Sequence, residues 1–398
     1  MKLLKLSLVA ALAAGALATT ASAVPLEEAI KDVDVSGSMR LRYTAVDNDI
    51  DSKADWNIYS LIDFKSKIDD NFFAVAGIRY GNERGAKEFG HGGQEDYGVN
   101  SGLPNNKADD QFDMYRAYIG YTVGNTTVQL GRQNVFSFFT DDMYGDGVFV
   151  LNSDIQGLTL GALFMDALER DSDISTLGIK DANGKDVADH NLYGVGAIGS
   201  YDPVSFQIWY AALEDVVGLF AVELGANFDV NDDVTVGLKG QYGFANFDSA
   251  FLPKAVDDSD LFAFEASANI YFFDMSAGYV NYSADDDKSI SLSSFEDSGS
   301  FIKAGEQVVD YARYEGENDY WFVTAGVTIP DTGLRIGADY LDGSFGPNGN
   351  TDASEVVARI DYKYNEKLNF KAWYSHADYD NNDNNDQDKY RFEAKYSF

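Results

Sequence analysis

Val356-Val357-Ala358-Arg359-Ile360-Asp361-Tyr362-Lys363-Tyr364 is the stretch that decides the fold. Val356, Ala358, Ile360, Tyr362 and Tyr364 alternate with Val357, Arg359, Asp361 and Lys363. A period of two means an extended strand with one apolar and one polar face. The same alternation sets Leu368, Phe370, Ala372 and Tyr374 against Asn369, Lys371, Trp373 and Ser375. It recurs over 334–340 and over 39–44. A soluble sandwich turns the apolar face inward, whereas an outer-membrane barrel turns it to lipid and keeps the polar face in a wet lumen. Here the polar face carries Arg beside Asp or Lys at mid-strand, in strand after strand, and the strands are long enough to cross a bilayer at a tilt. The expectation is an all-β fold, a transmembrane antiparallel barrel.

The connections support it. Short turns fall at Asp69-Asp70, Gly124-Asn125, Ile155-Gln156, Asp202-Pro203, Asn231-Asp232, Asp274, Pro330-Asp331 and Asn365-Glu366. Between them lie polar segments at 47–53, 83–110, 133–146, 169–189, 215–216, 247–257, 285–316, 344–352 and 378–387. Short turns on the periplasmic side and long loops outside are the topology of bacterial outer-membrane barrels. Nine hairpins joined by eight turns predict 18 strands.

Composition fits an exported chain. Its 398 residues carry 30 Lys+Arg against 65 Asp+Glu, a formal net charge of −35, and no Cys. Phosphate binding needs basic surface, so nucleic acid is not an expected partner. The 25 Tyr and 27 Phe argue against disorder. Lys2 and Lys5, the apolar run 6–18 and Ala21-Ser22-Ala23 read as a cleaved signal peptide over 1–23, leaving one barrel domain over 24–398. Phe72, Phe73, Tyr201, Phe206, Phe272, Phe273, Tyr364 and Phe370 beside the short turns, with Trp56, Trp321 and Trp373 nearer the loops, are expected to form the two aromatic girdles. Tyr390, Phe392, Ala394, Tyr396 and the terminal Phe398 share one face, and such an ending resembles the signal read by the outer-membrane assembly machinery.

The stretch Pro25-Leu26-Glu27-Glu28-Ala29-Ile30-Lys31-Asp32-Val33-Asp34-Val35-Ser36-Gly37 resembles the mature N-terminus of the major outer membrane protein porins of Campylobacter and its relatives. Asp154-Ile155-Gln156-Gly157-Leu158-Thr159-Leu160, Asn191-Leu192-Tyr193-Gly194 and Lys367-Leu368-Asn369-Phe370 are similar to that family as well. The resemblance implies an 18-stranded homotrimeric porin in the Gram-negative outer membrane, among lipid and lipopolysaccharide, passing small hydrophilic solutes. It also implies Ca²⁺ near the constriction, held by carboxylates from separate loops; Asp146 and Glu296 match family acids, and the third acid falls in 169–173, where Asp171 is taken over Asp173.

A diffusion pore needs a constriction and a field across it. By parity Arg40, Arg42, Arg79, Arg116, Arg335 and Arg359 point inward, since Arg on the lipid face at the midplane costs about 2–4 kcal/mol. They are expected to form a basic wall, with Asp141, Asp142 and Asp146 of the third long connection as constriction acids opposite. The acidic surplus suggests mild cation preference. A substrate-selective channel and an adhesive or structural barrel, the latter using loops 83–110 and 285–316, are the rival readings. The run 378–388 lacks the Gly and Glu of an EF-hand and reads as a solvated loop. His91, His190 and His376 have no nucleophile motif beside them, so no enzyme is expected.

Overall fold

The computed structural model of the chain describes residues 33–48, 52–81, 112–169, 189–248, 257–284, 291–309, 313–314, 316–346, 351–380 and 386–398. The expected signal peptide, the loop 83–110 and Asp171 lie outside them. In chain order the strands are β1 (Val33–Asn48), β2 (Ser52–Lys67), β3 (Phe72–Gly81), β4 (Phe112–Val123), β5 (Thr126–Asn134), β6 (Tyr144–Asn152), β7 (Leu158–Leu168), β8 (Leu192–Tyr201), β9 (Val204–Leu213) and β10 (Val217–Asn231). They continue as β11 (Val234–Phe247), β12 (Ser259–Ile270), β13 (Phe273–Ala284), β14 (Ser291–Leu292), β15 (Arg313–Tyr314), β16 (Asn318–Ile329), β17 (Leu334–Phe345), β18 (Thr351–Lys363), β19 (Leu368–Tyr379) and β20 (Gln387–Ser397).

β14 and β15 make a separate ribbon; the other strands form one 18-stranded antiparallel barrel, the number the turns and loops predict. β20 closes it on β1, from Ser38↔Ser397 to Asn48↔Gln387, and Gly37 and Phe398 exchange two backbone hydrogen bonds of 3.0 Å. Closure leaves no strand edge for the bilayer, which offers no partner to a free N–H or C=O. Among the described residues no helix is long and apolar enough to cross a membrane.

The turns explain themselves locally. Asp69 accepts the N–H groups of Asn71 and Phe72 at 2.8 and 2.7 Å, and Asn365 accepts those of Lys367 and Leu368 at 2.9 Å. Such Asx turns reverse the chain in few residues. The turn expected at Asp274 falls instead at Tyr271-Phe272, with Tyr271 at φ 56°; Asp274 is the second residue of β13.

Register separates the faces. Met39, Ile119, Leu130, Leu224, Val230 and Ile360 stand outward and exposed, as a lipid-facing band must. Two of the expected girdle aromatics point the other way. Phe73 lies under the Lys65 ammonium at 4.6 Å, and Trp373 lies under Arg391 at 5.0 Å and Lys389 at 6.0 Å, so both face the lumen.

Much of the interior is filled. On the loop side of β7–β13 the inward positions are Leu163, Met165, Leu192, Ala211, Leu219, Ala221, Ala263 and Val280, all buried. What covers them is the third long connection, 135–143, here loop three, and part of the seventh, 291–309, here loop seven.

Candidate functional site

Loop three folds into the lumen as a tight excursion. Its base is closed by Val135 N–H on the Met143 carbonyl at 2.8 Å. The Thr140 hydroxyl donates to the Val135 carbonyl and accepts Ser137 N–H at 3.2 Å. This geometry drives Phe138 and Phe139 inward, both almost fully buried, and leaves Asp141 and Asp142 exposed at the tip.

Loop seven meets it there. Phe295 N–H donates to the Phe139 carbonyl and Ser300 N–H to the Phe138 carbonyl, each at 2.8 Å. The rings interlock, Phe138 on Phe301 at 4.8 Å between centroids and Phe139 on Phe295 at 6.0 Å. Gly299, at φ +52°, permits this approach: a Cβ there would strike the Phe138 and Phe139 backbone. On one side of the barrel Gln241 of β11 donates to the Ser300 carbonyl at 2.9 Å and accepts Ile302 N–H at 2.7 Å. On the other, Glu306 pairs with Arg359 of β18 at 2.5 Å. Loop seven therefore spans the lumen as a strap. This corrects the expectation of an adhesive outer loop for that part of 285–316: residues 291–309 are inside the barrel, largely buried.

The six predicted arginines stand on the lumen face, and Arg42, Arg79, Arg116, Arg335 and Arg359 sit in ion pairs. Arg42 pairs with Glu393 at 2.8 Å and Arg116 with Asp63 at 2.9 Å. Arg79 pairs with Asp113 at 2.7 Å and also with Glu169. Arg335 bridges Asp274 at 2.5 Å and Asp361 at 3.4 Å, while Arg359 bridges Glu306 and Asp339, both at 2.5 Å. Arg40 lies over the Tyr59 ring at 5.1 Å. The wall is thus a lattice of matched charges, not a bare basic surface. The cause is register, which sets an acid beside these guanidinium groups, on the adjacent strand for Arg42, Arg79 and Arg359, and one strand further on for Arg116 with Asp63 and Arg335 with Asp274.

On β19 and β20 the lumen face also carries Lys371, Lys389, Arg391 and Lys395, the last opposite Arg40 in the β1–β20 register. The parity rule that found the arginines also finds these, since Lys389, Arg391 and Lys395 alternate with Tyr390, Phe392 and Ala394.

Opposite stands the acidic tip. The Asp141 carboxyl is held above its ordinary range by burial and by the Asp142 charge, and is pulled back by Lys395 across the lumen. Asp142 faces Glu296, whose carboxyl is raised well above the usual range by burial, by the Asp142 hydrogen bond and charge, and by Asp297. Glu296 Oε2 is buried without a hydrogen-bond partner. The third predicted acid is elsewhere. Loop three ends at Met143, and Asp146 is the third residue of β6, paired with Arg132 of β5 at 3.3 Å. Gln133 lies over the carbonyls of Gln129 and Gly131, which marks the lumen face of β5; Leu130, 61% exposed, and Arg132 take the outer face, with Asp146. Among the described residues no group of three acids or histidines is placed to hold a metal. His190 is buried, and His376 contacts Asp388 at 2.9 Å on the outer face.

A strapped, charge-lined lumen in an 18-stranded wall is the anatomy of a channel. The profile of the Campylobacter major outer membrane protein family matches residues 1–398. The chain belongs to that family. It is an outer-membrane porin-family barrel. Solved structures agree on the fold: Pseudomonas aeruginosa OccK9 (OpdG) superposes with a TM-score of 0.70 at 18% identity, over 93% of this chain and 99% of that one. Acinetobacter baumannii OccAB4 gives 0.70 at 14%, over 92% and 98%, and Pseudomonas aeruginosa OpdK gives 0.67 at 16%, over 92% and 99%. No curated protein matches the chain.

Proposed function

We propose that the chain is a passive channel for ions and small hydrophilic solutes, narrowest between the tip of loop three and the β18–β20–β1 wall. One observation carries this reading: Asp141 and Asp142 stand across the lumen from Lys395 and its neighbours. Opposed charges make a transverse field that orders water and dipolar solutes, which suits diffusion of polar molecules. Because Arg42, Arg79, Arg116, Arg335 and Arg359 are already matched by carboxylates, the surplus of acidic over basic residues is the charge that remains to concentrate cations at the mouth. Mild cation preference follows. Planar-bilayer recording under a KCl gradient tests it: a cation-side reversal potential is expected, and an anion-side one overturns the selectivity.

Lys371, Lys389, Arg391 and Lys395 favour a second reading, a channel selective for anionic solutes. Cations spaced along one wall offer successive sites to a carboxylate or phosphate. Saturable flux of one small organic anion, lost on charge removal at Lys389, supports it over free diffusion.

Homotrimer assembly is proposed on the resemblance and on Arg132–Asp146. A charge on the lipid face near mid-membrane costs about 2–4 kcal/mol, and β5 and β6, at 9 residues each, are the shortest walls of the barrel. A second copy covering this pair removes it from lipid. Recognition by the assembly machinery through Phe398 stays a proposal on the same footing. Calcium fits in part: the buried, unpartnered Glu296 Oε2 and the Asp142 carboxylate bonded to the same side chain are oxygens a hard cation accepts. Asp142 and Glu296 would hold it, and its charge would relieve their repulsion and fasten loop three to loop seven.

A further inference from the structure

Glu355 of β18 is 1% exposed, and none of the ion pairs found among the described residues involves it. Its carboxylate accepts N–H bonds from Glu306 at 2.7 Å, Gln307 at 3.2 Å and Val308 at 3.1 Å, all from loop seven. A fourth donor, the Ser375 hydroxyl of β19, comes at 2.6 Å. Gln307 then reaches past it to the Ser375 hydroxyl at 2.7 Å and the Gln387 carbonyl at 3.3 Å. Gly305, at φ +76°, lets the backbone curl around the acid: a Cβ there would strike the Glu355 carboxylate and the Leu341 side chain. Successive N–H groups wrapped on an anion form a nest.

We propose that Glu355 is a positioning residue for the pore, the latch that keeps loop seven strapped across the lumen and so sets the aperture. A buried carboxylate is costly unless its lone pairs are met, and bonds to an ionised acceptor are about twice as strong as neutral ones. Three of the four donors belong to the loop. If the loop lifts, the charge loses them together, so the latched state is favoured over partly lifted ones. Gln241 holds the strap on the opposite wall, and Glu355 secures the end nearest the charged wall. The consequence for flux rests on the channel reading above; the latch itself does not.

Two measurements on the full-length, membrane-inserted protein separate these. The chain has no cysteine, so V309C places a single thiol at a position 3% exposed at the end of the latched stretch. Its labelling by a polar maleimide is expected to be at least ten-fold faster in V309C/E355Q than in V309C. E355Q keeps the shape but turns an amide N–H₂ toward the loop's own N–H groups. Equal labelling rates overturn the latch. Second, E355Q channels are expected to show more open-state noise, conductance sublevels and several-fold faster liposome swelling with solutes near the size limit, while E366Q in an exposed turn leaves all three unchanged. Faster labelling with unchanged conductance would keep the latch but refute its control of the aperture. If E355Q does not assemble as a heat-modifiable barrel, G305A, which places a methyl against the carboxylate, takes its place in both arms.

Discussion

The two sides of the lumen are built on opposite principles. On the β7–β13 side the inward face is small and apolar, and loops three and seven lie on it as on a hydrophobic core. On the β17–β20 and β1–β4 side the inward face is charged and lined by matched ion pairs. Strand alternation is the same on both. What differs is whether the lumen residues need solvent, and the proposed passage follows the side that does.

Removing the aromatic lock should break that difference most. Phe139→Ala empties a fully buried ring site between the loops and is expected to cost about 3–5 kcal/mol, read as a lower heat-modification temperature and larger, noisier conductance. Calcium is expected to act next. At 100-fold excess over its dissociation constant a bound ion adds about 2.7 kcal/mol, so chelation should lower the unfolding midpoint, and Glu296→Gln should abolish the dependence on calcium. The proton works in the opposite sense at this site. Because the folded Glu296 carboxyl is raised, the stability its protonated form contributes is complete below the ordinary glutamate range and is lost as pH rises. In calcium-free buffer Glu296→Gln should flatten that decline.

The outer face gives a third test. Arg132→Ala leaves Asp146 unmatched, and on mild-detergent gels the proposed oligomer is expected to dissociate at a lower temperature than that of the wild type while the monomer still folds. Persistence of the oligomer at the wild-type temperature would move the interface elsewhere. On the charged side, Lys395→Glu faces Asp141 with a like charge and should raise cation-over-anion permeability about two- to five-fold; no shift in reversal potential would take Lys395 out of the field. Asp69→Ala removes an exposed turn acceptor and should have the smallest effect. Its carboxyl is lowered by the N–H groups of Phe72 and Asn71, so its stabilisation is present above the ordinary aspartate range and fades as pH falls through the lowered value. Thermal midpoints of wild type and variant should converge in acid.

The wall was legible in the sequence because period two and turn chemistry are local. Arg359 between Ala358 and Ile360 is enough to orient β18. Even the misplaced turn at Asp274 is a shift of three residues along a correctly oriented hairpin. Charge matching was not legible. Glu393 reaches Arg42 across 351 residues of sequence, and only the closing register makes them neighbours. The filled side was hidden for another reason. Ala221, Leu219 and Val217 look apolar on a lumen face that the parity rule expects to be polar, so the signal is a broken pattern, readable as a demand for a covering segment. Phe295 and Phe301, set in a polar stretch, are that segment. The misassigned Asp146 shows the limit of matching a single acid: the loop tip, not the motif, brings Asp142 to Glu296.

The strap has a consequence for how such a protein changes over generations. Circumference is fixed by strand number, and altering it would disturb every register around the ring. Among the described residues, the stretches that enter the lumen, 135–143 and 291–309, are not part of the wall. On the proposed channel reading, substitutions at the latch or the tip change what passes while barrel assembly is untouched. On that reading, selectivity is tuned on a part of the molecule whose errors do not cost the cell its outer wall.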